Sequence, residues 1–275
     1  MAIFIDAHVH IYPEFDREVF FKAAFANFLA ASKRENISTE NSYVLALAES
    51  RDNDVFLSLY QDAAPFAAVS EQQSDSDTVK IYKTEESDSL LIRMGEHTIS
   101  LMAGRQIISK ENIEVISLLS LAQHTDREWP LEDLVKIVAE NGGIAVIPWG
   151  VGKWFGERGK VVKKCIESSH DFPIFIGDNG NRPSFWPVPS LFPTAEEHNV
   201  PLLSGSDPLP LVSHSNRAAS SGTLLVNGKI SHSHPVASLR KQLVRPGEKR
   251  EFGERFASIR FVLEQFRMTI LKRFL

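Results

Sequence analysis

Asp6, His8 and His10 stand at alternate positions in the run Asp6-Ala7-His8-Val9-His10. On a β-strand, alternate side chains share one face, so this spacing can offer two imidazoles and a neighbouring carboxylate to a single cation. Imidazole nitrogen suits Zn²⁺, Mn²⁺ or Fe²⁺. A His-x-His pair arises readily by chance, but this one ends the apolar run Ile3–Val9, which reads as a buried first strand. A second polar group, Gly205-Ser206-Asp207, ends the late apolar run Pro201–Leu203. In a barrel of parallel strands, functional groups collect at the C-terminal strand ends, and closure makes the first and last strands neighbours. Asp207 is therefore expected to face His8 and His10, as a ligand or as a general base toward a metal-activated water. The competing reading makes it a cap on the turn before Pro208.

Two further strand ends carry polar clusters. Trp149-Gly150-Val151-Gly152-Lys153-Trp154, with Arg158 soon after, follows one; Asp178-Asn179-Gly180-Asn181-Arg182, with Trp186 beyond, follows the next. Glycines free the backbone to approach a ligand, and Lys or Arg can hold an anion. Trp149, Arg158, Asp178, Asn179 and Arg182 are thus expected to bind substrate. Lys153 is assigned a catalytic role beside Asp207, as a general acid or as a carbamylated ligand. The competing reading makes both segments rigid connections with their tryptophans packed into the core. His232-Ser233-His234 and the Arg217 to Gly222 stretch read as polar loops, and Cys165, in a helical context, as a buried apolar residue.

Asp-x-His-x-His near the start and Gly-Ser-Asp on a late strand resemble the polymerase-and-histidinol-phosphatase (PHP) family of metal-dependent phosphoesterases, and the wider amidohydrolase-type hydrolases. The resemblance runs over residues 3 to 210 with altered inner motifs. Ala48-Glu49-Ser50 stands where the family has Thr-Asp-His, and Gly104-Arg105-Gln106-Ile107-Ile108-Ser109 where it has Gly-x-Glu-Ile-Ser. Val146-Ile147-Pro148-Trp149 replaces Ala-His-Pro, and Asp207-Pro208-Leu209 replaces the closing Asp-x-His. The resemblance implies that His8, His10, Glu49 and Asp207 remain as metal ligands, with Gln106 a weaker donor and Asp178 a further candidate. That set suffices for a single divalent ion (Zn, Mn or Fe) with an open position. It also allows a chain that keeps the fold without metal or catalysis.

The elements that must position these residues alternate between strand and helix. Ile3–Val9, Ser42–Ala48, Phe66–Val69, Ile113–Leu119, Ile144–Ile147, Pro173–Ile176 and Pro201–Leu203 read as strands; Asp16–Ser32, Asp52–Asp62, Leu131–Asn141 and Gly159–Ser169 as helices. This alternation predicts parallel strands with crossover helices. The expected fold is a single domain over residues 1–275, a distorted TIM-like β/α barrel of about seven strands. Residues 75–110 read as an added β-hairpin segment, 212–250 as loop, and Glu254–Phe274 as an amphipathic closing helix.

Composition narrows the function. The chain has 275 residues, 43% hydrophobic and 24% charged, in the ordinary globular range. Its net charge of −5 argues against a nucleic-acid partner. The N-terminus lacks a basic segment leading into an apolar stretch, and no apolar run is long enough to span a bilayer, so a membrane partner is not expected. A single cysteine fits a reducing compartment, and the cytoplasm is the expected location. The sequence thus points to a metal-dependent hydrolase, a phosphoesterase acting on a small anionic substrate. The alternative is a catalytically inactive relative that binds or senses a small molecule.

Overall fold

The computed structural model describes residues 1–37, 40–69, 77–245 and 247–253. The closing helix expected over Glu254–Phe274 lies outside the described residues. The chain opens with β1 (Ala2–Val9), buried along its whole length. Next comes α1 (Arg17–Arg34), where Asp16 caps the helix by accepting the N–H groups of Glu18 and Val19 at 2.9 and 3.0 Å. Phe20, Phe21, Phe25 and Phe28 are buried on α1. β2 (Ser42–Leu47) and α2 (Val55–Asp62) follow. Phe66–Val69, expected as a strand, is a short 3₁₀ turn, because Ala68 folds back to donate to the Pro65 carbonyl at 3.1 Å.

Five strands then run almost consecutively: β3 (Val79–Lys83), β4 (Ser89–Met94), β5 (His97–Met102), β6 (Gly104–Ile108) and β7 (Glu114–Leu118). The remainder alternates through α3 (Leu131–Glu140), β8 (Ile144–Pro148), α4 (Glu157–Glu167), β9 (Ile174–Asn179), α5 (Leu191–Glu197) and β10 (Leu202–Gly205). It ends with β11 (Ser221–Val226), α6 (Pro235–Val244) and β12 (Lys249–Gly253). The stretch expected as loop over 212–250 therefore holds two strands and a helix. Ser221-Gly222-Thr223 hides the first strand behind turn-type residues.

The expectation of a TIM-like barrel is overturned. The strands form two sheets, one of seven strands in the order β12-β11-β1-β2-β5-β4-β3 and one of five in the order β10-β9-β8-β7-β6. Neither closes on itself. The reason lies in the segment read as an added hairpin. β5 pairs parallel with β2, bringing β4 and β3 with it by antiparallel pairing, so the first sheet extends outward instead of curling. β6 and β7 pair antiparallel and open the second sheet. Parallel pairing, expected of the strands that alternate with helices, is found among the named strands at β1–β2, β2–β5, β8–β9 and β9–β10.

The two sheets pack on one another around Ile5, Val44, Met102, Ile116, Val146, Phe175 and Leu203, with Val236 and Leu239 of α6 joining the same cluster. Helices cover both outer faces. The phenylalanines of α1 lie against the first sheet, and α3, α4 and α5 lie against the second. The two edge strands of the second sheet, β10 and β6, also abut the central strands β1 and β2 of the first, at two glycines. A Cβ on Gly205 would sit 2.3 Å from the His8 nitrogen, and one on Gly104 2.1 Å from the Leu47 carbonyl oxygen. Only a residue without a side chain lets the backbones come this close. At the first seam the Asp207 N–H donates to the His8 carbonyl at 2.9 Å; at the second, Glu49 N–H donates to Gly104 O at 3.0 Å.

Asp6 locks the first seam. Its fully buried carboxylate accepts the Ser206 N–H at 2.8 Å, the Ser206 hydroxyl at 2.5 Å, the Ala219 N–H at 2.7 Å and the His8 N–H at 3.3 Å. Burial pushes its carboxyl up to about 7, against the lowering effect of these donors. Replacing Asp6 with Ala strands several buried donors, each costing about 1–3 kcal/mol. Urea denaturation is expected to register a loss of at least about 3 kcal/mol. Cys165 on α4 is fully buried, and burial, followed by the charge of Glu132, pushes its thiol up to about 12. A thiol reagent is expected to leave it untouched in the native protein at mildly alkaline pH and to modify it once the chain is unfolded.

Candidate metal centre

The ladder between β1 and β2 shifts register between Asp6 and Val9. Before the shift, Ile3, Ile5 and Ala7 point between the sheets and Ala2 and Phe4 point toward the helices; beyond it, Val9 and Ile11 point toward the helices. His8 and His10 are thereby separated from Asp6, contrary to the common face expected from alternation. An irregularity of this kind re-aims side chains at the end of a strand. Asp6 fixes the seam, while His8 and His10 face Asp207.

The His8 and His10 Nε2 atoms lie 3.1 Å apart. Asp207 Oδ1 is 3.6 Å from each of them. Both rings are buried and the carboxylate nearly so. Among the described residues these three form the group whose ligand atoms all lie within 4.8 Å of one another. A tetrahedral ion with metal–ligand bonds of about 2.0–2.1 Å separates its ligand atoms by about 3.3–3.4 Å. The observed triangle therefore fits one such ion with little movement. Burial and the neighbouring His8 push the His10 ring down to about 3, so it is neutral at ordinary pH and its lone pair is free to bind. Burial raises the Asp207 carboxyl, but the two imidazoles and Lys153 outweigh it and hold the group below its usual range, ionised.

Asp207 takes a left-handed backbone conformation, φ +45°, at the end of β10. Its Oδ2 accepts from Asn179 Nδ2 at 3.1 Å, and its carbonyl accepts from Asn181 Nδ2 at 2.6 Å. The Asn179 amide also donates to the Trp149 carbonyl at 3.0 Å, tying the ends of β8, β9 and β10 together. Asn179 thus orients the carboxylate, a supporting contact of the kind that tunes metal ligands.

The other expected site residues are distributed differently. Lys153 folds over Gly150 and pairs with Glu114, and its charge acts on both His10 and Asp207. Arg158 donates to the Gly152 carbonyl at 3.0 Å and closes its own loop. Asp178 and Arg182 grip one another: Arg182 Nε lies 2.9 and 3.1 Å from the two carboxylate oxygens and Nη2 lies 2.5 Å from Oδ2, with Arg182 only 1% exposed. Glu49 is buried away from the triangle, where it accepts the Phe56 N–H at 2.9 Å and lies 3.8 Å from Arg105. Trp149 is buried beside Trp186, ring centroids 6.2 Å apart.

Three residues at the site escaped the sequence reading. Tyr12 continues the alternate spacing of His8 and His10 and stacks on His10 at 5.5 Å. Burial, followed by the charges of Asp207 and Glu114, pushes its phenol upward, so it remains a hydrogen-bond donor. Its spacing was the available signal. Asn181 lay within the Asp178–Arg182 polar cluster but was not singled out, and Glu114 carried no signal, because their places depend on a turn and on sheet pairing.

No protein-family model matches the chain, and no curated protein matches it. Among solved structures it is similar to PsfC from Pseudomonas syringae PB-5123, at 11% identity and a TM-score of 0.52 over 98% of this chain and 99% of that one. It is also similar to endonuclease Q in complex with a 27-mer duplex substrate carrying an abasic lesion, at 11% identity and a TM-score of 0.49. The lesion-specific endonuclease PfuEndoQ from Pyrococcus furiosus gives 11% and 0.48. Each of these two alignments covers 91% of this chain and 58% of the endonuclease, so the chain spans little more than half their length. The likeness to PsfC is one of fold. The exclusion of nucleic acid drawn from net charge is withdrawn on physical grounds. Net charge averages over a surface, whereas binding depends on the local field. Among the described residues no helix is long and apolar enough to cross a membrane.

The bidentate Asp178–Arg182 pair makes a structural prediction. Asp178→Ala or Arg182→Ala is expected to cost about 3–5 kcal/mol in urea denaturation, because each leaves a buried charge unpaired. A loss of turnover at unchanged stability would instead assign the pair to substrate.

Proposed function

We propose that this chain is a metal-dependent hydrolase that cleaves a phosphoester with one divalent ion held by His8, His10 and Asp207. The observation that carries this reading is the triangle of His8 Nε2, His10 Nε2 and Asp207 Oδ1, with sides of 3.1, 3.6 and 3.6 Å. A hydrogen bond between the imidazoles would account for one side, but not for a carboxylate oxygen equidistant from both. The ion, when bound, supplies Lewis acidity toward a water and the phosphoryl group.

The chain's own residues would do the rest. Asp207 is ionised and fixed through Oδ2 by Asn179, so it can ligate through Oδ1 and accept a proton on Oδ2. Lys153 brings a positive charge toward the same point, balanced by Glu114, and suits the charge of a phosphoester. Tyr12 offers a hydroxyl donor beside His10. The choice of a phosphoester rests on the resemblance of the Asp-x-His-x-His and Gly-Ser-Asp motifs to the PHP family.

Mass spectrometry of the purified protein is expected to find about one equivalent of Zn, Mn or Fe. A His8→Ala, His10→Ala double variant should lose the metal and phosphoester turnover while keeping its circular dichroism. Absence of metal from both proteins after reconstitution would sink the reading and leave a non-catalytic small-molecule binder.

A further inference from the structure

Of the three basic residues that follow β8 and β9 and were expected at the site, Lys153 is the one whose charge reaches the centre. Arg158 is spent on the Gly152 carbonyl and Arg182 on Asp178. Lys153 is placed by its own loop. Its backbone N–H donates to the Gly150 carbonyl at 3.0 Å. Its stem lies flat on Gly150, where a Cβ would stand 2.6 Å from Lys153 Cδ and 2.8 Å from Cε. Gly152 supplies the left-handed residue, φ +77°, that brings the chain round. The ammonium ends on the carboxylate of Glu114, the first residue of β7.

This ammonium lies among carboxylates. Glu114 holds it directly, and its charge also acts on Asp207 and His10. After burial, the charges of Asp207 and Glu114 are what push the Tyr12 phenol upward, so both carboxylates act on the same hydroxyl. Two carboxylates sharing a half-buried space need positive charge there. In two-metal hydrolytic sites a second ion supplies it; here a side chain does. We propose that the Lys153 ammonium takes the place of a second metal ion, engaging Glu114 and limiting the centre to one divalent ion. The inference rests on the hydrolase reading for the first ion. Lysine suits the role because its ammonium is a compact point charge without a lone pair, and it repels a divalent ion from the same space.

The test is metal stoichiometry, read by equilibrium dialysis of the full chain against Mn²⁺ and by electron paramagnetic resonance of the bound manganese. The unaltered protein is expected to hold one ion, with the spectrum of isolated Mn²⁺. Lys153→Met keeps the stem and removes the charge; it should hold two ions, magnetically coupled at about 3.5–4 Å, the separation of paired ions. Lys153→Arg keeps the charge and should hold one. Lys153→Met combined with Glu114→Gln, which removes the carboxylate left for a second ion, should also hold one. Gly150→Ala, whose methyl displaces the stem without removing the ammonium, should move the stoichiometry toward that of Lys153→Met. The Lys153 side chain is 40% exposed, so its replacement is tolerated by the fold, which circular dichroism checks. A single ion in folded Lys153→Met overturns the inference and leaves the hydrolase reading standing. A second ion without magnetic coupling, or one retained when Glu114 is replaced, overturns it as well, since that ion is adventitious. No ion in any of these proteins removes the hydrolase reading and this inference together.

Discussion

Everything at the candidate site depends on how closely β10 approaches β1. The backbone of Gly205 lies against that of His8 with no room for a side chain, and the Asp207 N–H closes the contact on the His8 carbonyl. The approach is held by Asp6, whose buried carboxylate collects donors from β1, from the end of β10 and from the turn at Ala219. Ala219 and Asp207 both take left-handed conformations, φ +62° and +45°, rarely adopted by residues other than glycine. Such strain persists where the surroundings over-determine it. Here one residue delivers an N–H to Asp6 and the other aims a carboxylate at two imidazoles.

The packed sheets explain why a site of this kind can be built without a closed barrel. Two layers of apolar side chains pack against each other, and helices cover the outer faces. Close contacts at Gly205 and Gly104 bring the ends of strands from different sheets together. Polar residues at or just beyond the ends of β1, β8, β9 and β10 then meet at one rim, above the apolar cluster between the sheets. The buried ionic pair of Asp178 with Arg182 and the Asn179 bridge hold the rim in shape, so the ligand atoms need little rearrangement to close on an ion.

The distribution of charge at this rim is economical. Asp207 would be hard to ionise in isolation, since burial alone raises its carboxyl; the imidazoles and Lys153 reverse that effect. Lys153 in turn is balanced by Glu114. One side of the rim is therefore electrostatically poised for an anion, and the adjoining side is aromatic. A protein with a net charge of −5 can carry such a local field, so its total charge does not settle its partners.

The sequence by itself determined the local pieces. Apolar runs located nearly all the strands before residue 210, Asp16 declared the start of α1, and the His-x-His spacing with Gly-Ser-Asp named the three residues that converge. It misjudged what those pieces would join. The adjacency of Asp207 to His8 and His10 was expected from barrel closure, whereas it arises where the edge strand of one sheet meets a central strand of the other at a glycine. Glu49, expected as a ligand, accepts the Phe56 N–H; Asp178 and Arg182, expected to bind substrate, pair with one another; Asp6 leaves the face of His8 and His10 through a shift of register. The physical reason is common to all of these. Periodicity and residue type report which face a side chain prefers and what chemistry it can do, because those are properties of a few neighbouring residues. Sheet pairing, register and the choice of partner for a buried charge are settled by contacts between segments as far apart as Asp6 and Ala219, and only the tertiary structure contains them.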